Sequence, residues 1–268
     1  MAELKIIVGG ALVAAIAAVS LLLPLFVRLD PAAISGQPLS PPDLQHSLGT
    51  DNLGRDVLAR VAYGGRVPLG VALLATLISA SIGLVLGIFS GYLGGWLDRS
   101  LTMVMDSLYA FPGFLMAIAI AAVLGPSPLN AALAIGFVYI PTYFRLARNE
   151  TQVIKTNQFI EAAVAVGAPV RHIVIRHVSP MLAFTTAVVA TVNIADAILT
   201  EAALAFFGYT VVPPTPDWGA DLSLAKSYIL NGAWWLLTPG IFIVLAALGF
   251  SLLGDGLAER YGLRKKLG

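Results

Sequence analysis

Cysteine is absent from this chain of 268 residues. Its absence excludes a disulfide framework and any metal site built on thiolates. Charge is also scarce, because Asp, Glu, Lys and Arg make up 12% of the residues, whereas soluble domains carry about 25%. The net charge of +1 is too small for a nucleic-acid footprint. Hydrophobic residues reach 58% and mean hydropathy is +0.85, so the composition indicates an integral membrane protein.

The common motifs of enzymes and nucleotide sites are missing as well. No lysine follows a glycine, so there is no phosphate-binding G-x-x-x-x-G-K loop, and neither H-E-x-x-H nor G-x-S-x-G occurs. His172 and His177 are a poor pair of ligands, because a spacing of five residues does not place both on one helical face. We therefore predict no catalytic residue, no metal ligand and no cofactor in this chain. If the protein used ATP, a different chain would have to bind it.

Six apolar runs are long enough to cross a membrane as helices. They cover residues 6–27, 67–90, 101–124, 129–144 or a little beyond, 181–207 and 234–253. Pro112 and Pro141 predict kinks in the third and fourth runs. The first run is longer than the apolar core of a signal peptide and has no small-residue cleavage site, so we expect a retained span.

The polar segments divide the chain into three parts. Residues 1–66 should form the first span and an external polar segment, residues 67–257 five spans with a polar loop at 145–180, and residues 258–268 a tail. Lysine and arginine are more frequent in the segments that lie on the side of the N-terminus. The positive-inside rule then places both termini and the loop in the cytoplasm.

Two proline-rich segments are expected outside the membrane, at 29–66 and 209–232. The first should contain a short helix that begins near Asp56. Its charges alternate in sign, which favours a folded surface segment with a structural or docking role over a catalytic cluster; they are Asp51, Arg55, Asp56 and Arg60.

The stretch 157–180 differs from everything around it. It begins as an amphipathic helix with Thr156 or Asn157 as a candidate N-cap. Glu161 is its one charge, and the neighbouring alanines, Ala162 and Ala163, give the helix a slim surface that a protein could approach closely.

Gly167 stands where a helix needs a C-terminal glycine, and Pro169 can open a second short helix. The second helix would carry the basic residues Arg171, His172, Arg176 and His177, and Pro180 ends the polar run. A solvated loop is one interpretation of the stretch, and a docking surface for another protein is the other. We favour the docking surface, since a loop without a partner has little need of a fixed turn.

The fifth span carries three polar residues, Asn193, Asp196 and Glu201. Asp196 lies past the middle of the span, where an ionised carboxylate facing lipid costs at least about 2.5 kcal/mol. It should therefore face a subunit interface or a wet path, either accepting hydrogen bonds from a neighbouring span or attracting a cationic group. Asn193 should lie on a similar face, whereas Glu201 is rotated by about 140°.

The order Glu161-Ala162-Ala163, then Gly167, then Pro180 resembles the EAA motif of bacterial ABC-importer membrane subunits. Further segments are similar to the second-subunit type of dipeptide, oligopeptide and nickel permeases: residues 46–60, Ala110-Phe111-Pro112, Pro213-Pro214-Thr215-Pro216 with Trp218-Gly219, and residues 253–257. Asp196 departs from that family, which more often has glycine or alanine there.

The resemblance implies an all-α integral membrane protein with six transmembrane helices, the type I ABC importer fold and cytoplasmic coupling helices. Glu161, Ala162, Ala163, Gly167 and Pro180 would serve the coupling to ATPase subunits. The implied partners are a second homologous permease in a heterodimer, two ATP-binding subunits that hold ATP and Mg, and an extracytoplasmic substrate-binding protein, all at a bacterial inner membrane.

Small peptides are the implied cargo, and a nickel chelate or heme is the alternative within the family. An ion-driven secondary transporter is the less favoured rival. It would rely on ionisable residues within the spans, of which this chain has Asp106, Asp196 and Glu201.

Overall fold

The structure is a computed structural model that describes residues 1–26 and 30–262. Within these residues the regular structure is helical, apart from two isolated β-bridges, Ile34 with Arg55 and Thr50 with Asp56. Ten helices are labelled in chain order: α1 Ala2–Leu25, α2 Val57–Gly64, α3 Arg66–Leu93, α4 Gly95–Tyr109, α5 Gly113–Leu124, α6 Pro128–Lys155, α7 Gln158–Ala165, α8 Val170–Phe206, α9 Trp218–Ala225 and α10 Ala233–Arg260.

Five helical stretches are long and apolar enough to cross a membrane: Ala2–Leu25, Val57–Leu93, Pro128–Lys155, Val170–Phe206 and Ala233–Arg260. A sixth span is present if α4 and α5 count as one. These two helices meet at 88°, so the third apolar run is a broken pair and not the kinked span expected at Pro112. The backbone of Pro112 is extended, with ψ at 114°, and proline pushes the residue before it out of the helical region.

Glycines let α3 and α6 pack closely. Gly83, Gly87 and Gly91 follow one another at four-residue spacing on α3. A Cβ atom on Gly87 would collide with the carbonyl oxygen of Phe144, and one on Gly83 would lie 2.6 Å from the Cβ of Tyr143. Small residues at such spacing are typical of helix pairs in membranes, because packing replaces the hydrophobic driving force there.

The first and last helices run side by side. The Lys5 ammonium on α1 lies 3.0 Å from the Glu259 carboxylate near the end of α10. The first residues of α1 and the last residues of α10 therefore lie at the same end of the molecule.

Several helices extend beyond the apolar runs. Helix α6 continues to Lys155, so the first part of the predicted loop 145–180 is helical, and α10 runs to Arg260 in the predicted tail. The segment 91–100, which separates the second and third apolar runs, is interrupted only by a break at Gly94 between α3 and α4. Charged residues stop the hydrophobic run, but the backbone hydrogen bonds of a helix continue past them.

The predicted second short helix is also the beginning of a longer one. Residues Val170–Phe206 form one continuous helical stretch, with a π-helical turn at Val174–Val178. Pro180 has no N–H to offer the preceding turn, and a π-helical turn is one way to accommodate that loss. Val27 and the tail beyond Gly262 lie outside the described residues.

The two proline-rich segments fold onto each other, at the ends of α3 and α8 that are remote from α7. Helix α2 begins where expected, and the Asp56 side chain caps it by accepting from the Ala59 N–H at 2.8 Å. The segment 209–232 contains α9 and is not purely a loop. The Trp218 indole N–H of α9 donates to the Val61 carbonyl at 2.8 Å.

The alternating charges of the first segment are buried, which corrects the expectation of a surface segment. Asp51, Arg55 and Arg60 are 0%, 5% and 2% exposed. Arg55 pairs with Asp51, and the Arg60 guanidinium pairs with Asp221 of α9. Charges of both signs can be buried together because each satisfies the other, and here the partner of Arg60 comes from a distant part of the sequence.

Candidate functional site

Helix α7 lies between the two long helices α6 and α8. Its N-cap position is Asn157, as predicted, with the extended backbone of a cap, φ −77° and ψ 141°. The Asn157 side chain does not cap, however, because its amide donates to the Ile154 carbonyl at 3.0 Å. The side chain thereby ties the beginning of α7 to the end of α6.

Gly167 ends α7 in a Schellman motif. Its φ is +79°, in the left-handed region that glycine enters without a steric penalty. The Gly167 N–H donates to Val164 O at 2.9 Å, and the Ala168 N–H donates to Ala163 O at 3.0 Å. These two bonds are the pair that defines the motif, so the predicted helix-ending glycine is confirmed.

One face of α7 is anchored. Ile160 is 1% exposed and packs in a cluster that includes Ile154 of α6 and Ile173 of α8. Ala163 is partly buried against the same cluster. Nearby, the Lys155 ammonium donates to the Tyr92 carbonyl at 2.6 Å, which joins the end of α6 to the end of α3.

The opposite face of α7 is open. Glu161 and Ala162 are exposed, and so are the apolar residues Phe159, Val164 and Val166, the last of them 84%. No hydrogen bond or ion pair of the Glu161 carboxylate is found within residues 1–26 and 30–262. The site therefore presents an apolar patch with one uncommitted negative charge. Pro180 is exposed further along α8.

An aromatic contact supports the angle between α7 and α8. The His177 ring lies 6.0 Å from the Phe159 ring and 5.9 Å from the His172 ring, measured between centroids. This contact could not be predicted from the sequence, because Phe159 and His177 belong to different helices.

The three polar residues of the fifth span point to three different places. Asp196 is exposed on the surface of the chain and lies near the Tyr139 hydroxyl of α6. Asn193 is buried next to Tyr143, so it does not share a surface with Asp196 as expected. Three residues turn a helix by about 300°, which leaves two such side chains about 60° apart.

Glu201 is fully buried and lies against Asp217 at the N-terminus of α9. Sequence reasoning named Glu201 but missed Asp217. Asp217 is a residue type suited to the N-cap of a helix. This was its only signal in the sequence, and the segment that contains it, 209–232, was expected to be a loop.

Comparison with known proteins places this arrangement in a family. Residues 83–266 match the family described as "Binding-protein-dependent transport system inner membrane component". The chain is 39% identical over 221 residues to the dipeptide transport system permease protein DppC of Alkalihalophilus pseudofirmus, covering 82% of this chain and 73% of that protein. It is 41% identical over 218 residues to the glutathione transport system permease protein GsiD of Escherichia coli, covering 81% and 72%.

A solved structure supports the fold alone. The MetNI methionine ABC transporter, in inward-facing conformations, matches with a TM-score of 0.60 at 17% identity, over 75% of this chain and 95% of that chain. The all-helical architecture is thereby confirmed. The family match and the two relatives confirm the resemblance to ABC-importer permeases. The chain belongs to the binding-protein-dependent transport system inner membrane components, the permease subunits of ABC importers.

Proposed function

We propose that this permease subunit forms the path for small peptides and that α7 couples it to separate ATP-binding subunits. The observation that carries the proposal is the construction of α7: one face is anchored by Ile160 and the other is exposed. The Schellman motif at Gly167 fixes its end. A surface built this way can bear the force of a docked ATP-binding subunit without deforming.

The connections of α7 suit a lever. Helix α6 has 28 residues and α8 has 37, so at 1.5 Å per residue they extend about 42 and 55 Å. Both are longer than the ~30 Å hydrocarbon core. Because α7 is tied to both of them, a displacement of α7 would be carried across the membrane. ATP and Mg would be held by the partner subunits, since this sequence has no phosphate-binding loop.

The positions of the chain termini and of the proline-rich segments support the remaining partners. The beginning of α1 and the end of α10 lie together, and the excess of basic residues supports a cytoplasmic position for that end in a bacterial cell. The two proline-rich segments would then face the substrate-binding protein. A second, homologous permease would complete the path as the other half of a heterodimer, next to the exposed Asp196.

Small peptides are the cargo that agrees best with the names of the two relatives. The two relatives are named for a dipeptide and for glutathione, and both cargoes carry an ammonium group and amide bonds. The exposed carboxylate of Asp196 would attract that ammonium from the wall of the path. A lipid-facing position for the same carboxylate would be costly.

Uptake measurements test the proposal. Cells that lack this gene should fail to accumulate a radiolabelled dipeptide, and the wild-type gene should restore uptake that unlabelled dipeptides, but not free amino acids, compete away. Accumulation of nickel or heme should not change. Unchanged dipeptide uptake in the deletion strain, together with lost nickel or heme uptake, would contradict the peptide assignment.

A further inference from the structure

Two carboxyl groups meet inside the protein, at the end of α8 remote from α7. Glu201 belongs to the last turns of α8, and Asp217 is the N-cap residue of α9. Both are fully buried, and so is Thr210 in the connection between them. The Glu201 carboxyl interacts with both of the others.

The hydrogen bonds of this group are incomplete. Asp217 Oδ1 accepts from the backbone N–H groups of Gly219 and Ala220, at 2.9 and 3.0 Å. The other Asp217 oxygen, both Glu201 oxygens and the Thr210 hydroxyl have no partner of ordinary geometry in the described part of the chain. Buried polar atoms without partners are rare and costly, so these oxygens require a hydrogen-bond donor.

Among the described residues, no positively charged side chain acts directly on the pair. Asp221, one turn further along α9, acts on Asp217 and is itself paired with Arg60 of α2. Asp51 and Arg55 form a second pair beyond them. Burial raises the pKa of Asp217 to about 7, even though its two backbone N–H bonds act in the opposite direction.

The helices around the pair are closely packed. Helix α9 lies so close to α8 that a Cβ atom on Gly219 would collide with the Ala202 carbonyl. Trp218 beside it is fully buried. Among the described residues no group of three or more side chains is arranged to hold a metal ion. A proton is the smallest occupant that supplies the missing donor and removes one of the charges.

We propose that Glu201 and Asp217 bind one proton between them, and that this shared proton holds α9 against the end of α8. With the proton, one carboxyl donates to the other and Thr210 can donate to the remaining oxygen. Without it, two carboxylates face each other in a dry site, and detachment of α9 lets water reach both. This site is independent of the proposed cargo and of α7.

The direction of the pH effect follows from linkage. Burial keeps the proton on the pair at a pH at which a solvated carboxyl in the detached state, with a pKa near 4, has already released it. The attached state therefore loses its advantage progressively as the pH rises above about 4, until the pair has released the proton. Within that window, each pH unit should raise the detached fraction up to about tenfold.

Thiol labelling can follow the detachment, because the chain has no cysteine of its own. Ala225→Cys places a thiol on the buried face of α9, and Ser227→Cys provides an exposed reference that corrects for the reactivity of the thiol at each pH. In the full-length chain, solubilised with its transport subunits, the ratio of the two labelling rates should rise at least tenfold from about pH 5 to pH 7.

Two substitutions test whether the shared proton causes the rise in the labelling ratio. Glu201→Gln and Asp217→Asn each supply an amide donor that needs no proton, so the ratio should stay low and independent of pH in both. Asp196→Asn removes an exposed carboxylate from the same helix and should leave the rise unchanged. A rise of wild-type size in either amide variant would overturn the proposal. So would a ratio that follows the sodium concentration at constant pH, which would identify a bound cation instead.

Infrared spectroscopy gives a second readout that does not depend on an introduced thiol. A pH-difference spectrum of the wild-type complex should contain the carbonyl band of a protonated carboxylic acid that disappears when the pair loses its proton as the pH rises. The band should be missing from the Glu201→Gln complex. Its absence from the wild type, or its persistence in that variant, would contradict the shared proton.

Discussion

Replacing Gly167 by valine perturbs the candidate coupling surface through its backbone. A Cβ atom on Gly167 would meet no atom within 4 Å, so the larger side chain is not excluded by a clash. The difficulty is the φ of +79°, which a β-branched residue adopts only under strain.

The size of this strain can be placed between narrow limits. A left-handed conformation costs a residue with a Cβ about 1–2 kcal/mol. A cost of that size lowers the ratio of the native turn to other turns about 5–30-fold. The bonds at stake are those from Gly167 and Ala168 to the carbonyls of Val164 and Ala163, so α7 should lose its fixed end while Ile160 remains anchored.

The assay compares three variants of the reconstituted complex. Gly167→Val should reduce transport and substrate-stimulated ATP hydrolysis severalfold while the chain still inserts and assembles. Gly167→Asn should retain most of both activities, because asparagine tolerates the left-handed region better than other residues. The matched control is Gly208→Val, since Gly208 has φ +82° with nothing near its Cβ position and ends α8 in the same pair of hydrogen bonds.

The two valine variants separate coupling from stability. Both should lower the melting temperature of the complex by similar amounts, but only Gly167→Val should uncouple ATP hydrolysis from substrate. Wild-type transport by Gly167→Val would refute the reasoning, and so would an equal loss of stimulation in both valine variants.

Three further predictions concern charge, topology and cargo. Glu161→Lys reverses the one charge of the exposed face of α7 and should weaken binding of the ATP-binding subunits at least severalfold in a pull-down, whereas unchanged binding would argue against docking there. Cysteines at Ser47 and Thr215 should react with an impermeant reagent added outside intact cells, and one at Ala162 should react only in inverted vesicles; the reverse pattern would overturn the topology. Asp196→Asn should leave assembly and ATP hydrolysis intact but lower uptake of a cationic peptide more than that of an N-acetylated one, and equal uptake of both would exclude a role for the charge.

Local signals in the sequence predicted the form of α7 well. The helix at 158–165 and its terminal glycine depend on backbone rules that operate within a few residues, namely the cap position at Asn157 and the left-handed turn at Gly167. Such features need no knowledge of the rest of the chain. Their role in coupling stays a prediction.

Features that depend on distant partners could not be predicted. Arg60 is buried because Asp221 neutralises it, and these residues lie in different polar segments of the sequence. The sharp angle between α4 and α5 likewise exceeds what a single proline implies, since Pro112 predicts a break but not its angle. Asn193 turns towards α6, and no periodicity within α8 alone could reveal that direction.

Cross-linking from α7 tests the central claim most directly, namely that α7 is the docking surface for an ATP-binding subunit. A short photoreactive group attached to Ala162→Cys in the active complex should form a covalent product with that subunit, and the same group on Ser47→Cys should not. An active complex that gives no such product from Ala162→Cys, or gives it from Ser47→Cys, would contradict the claim.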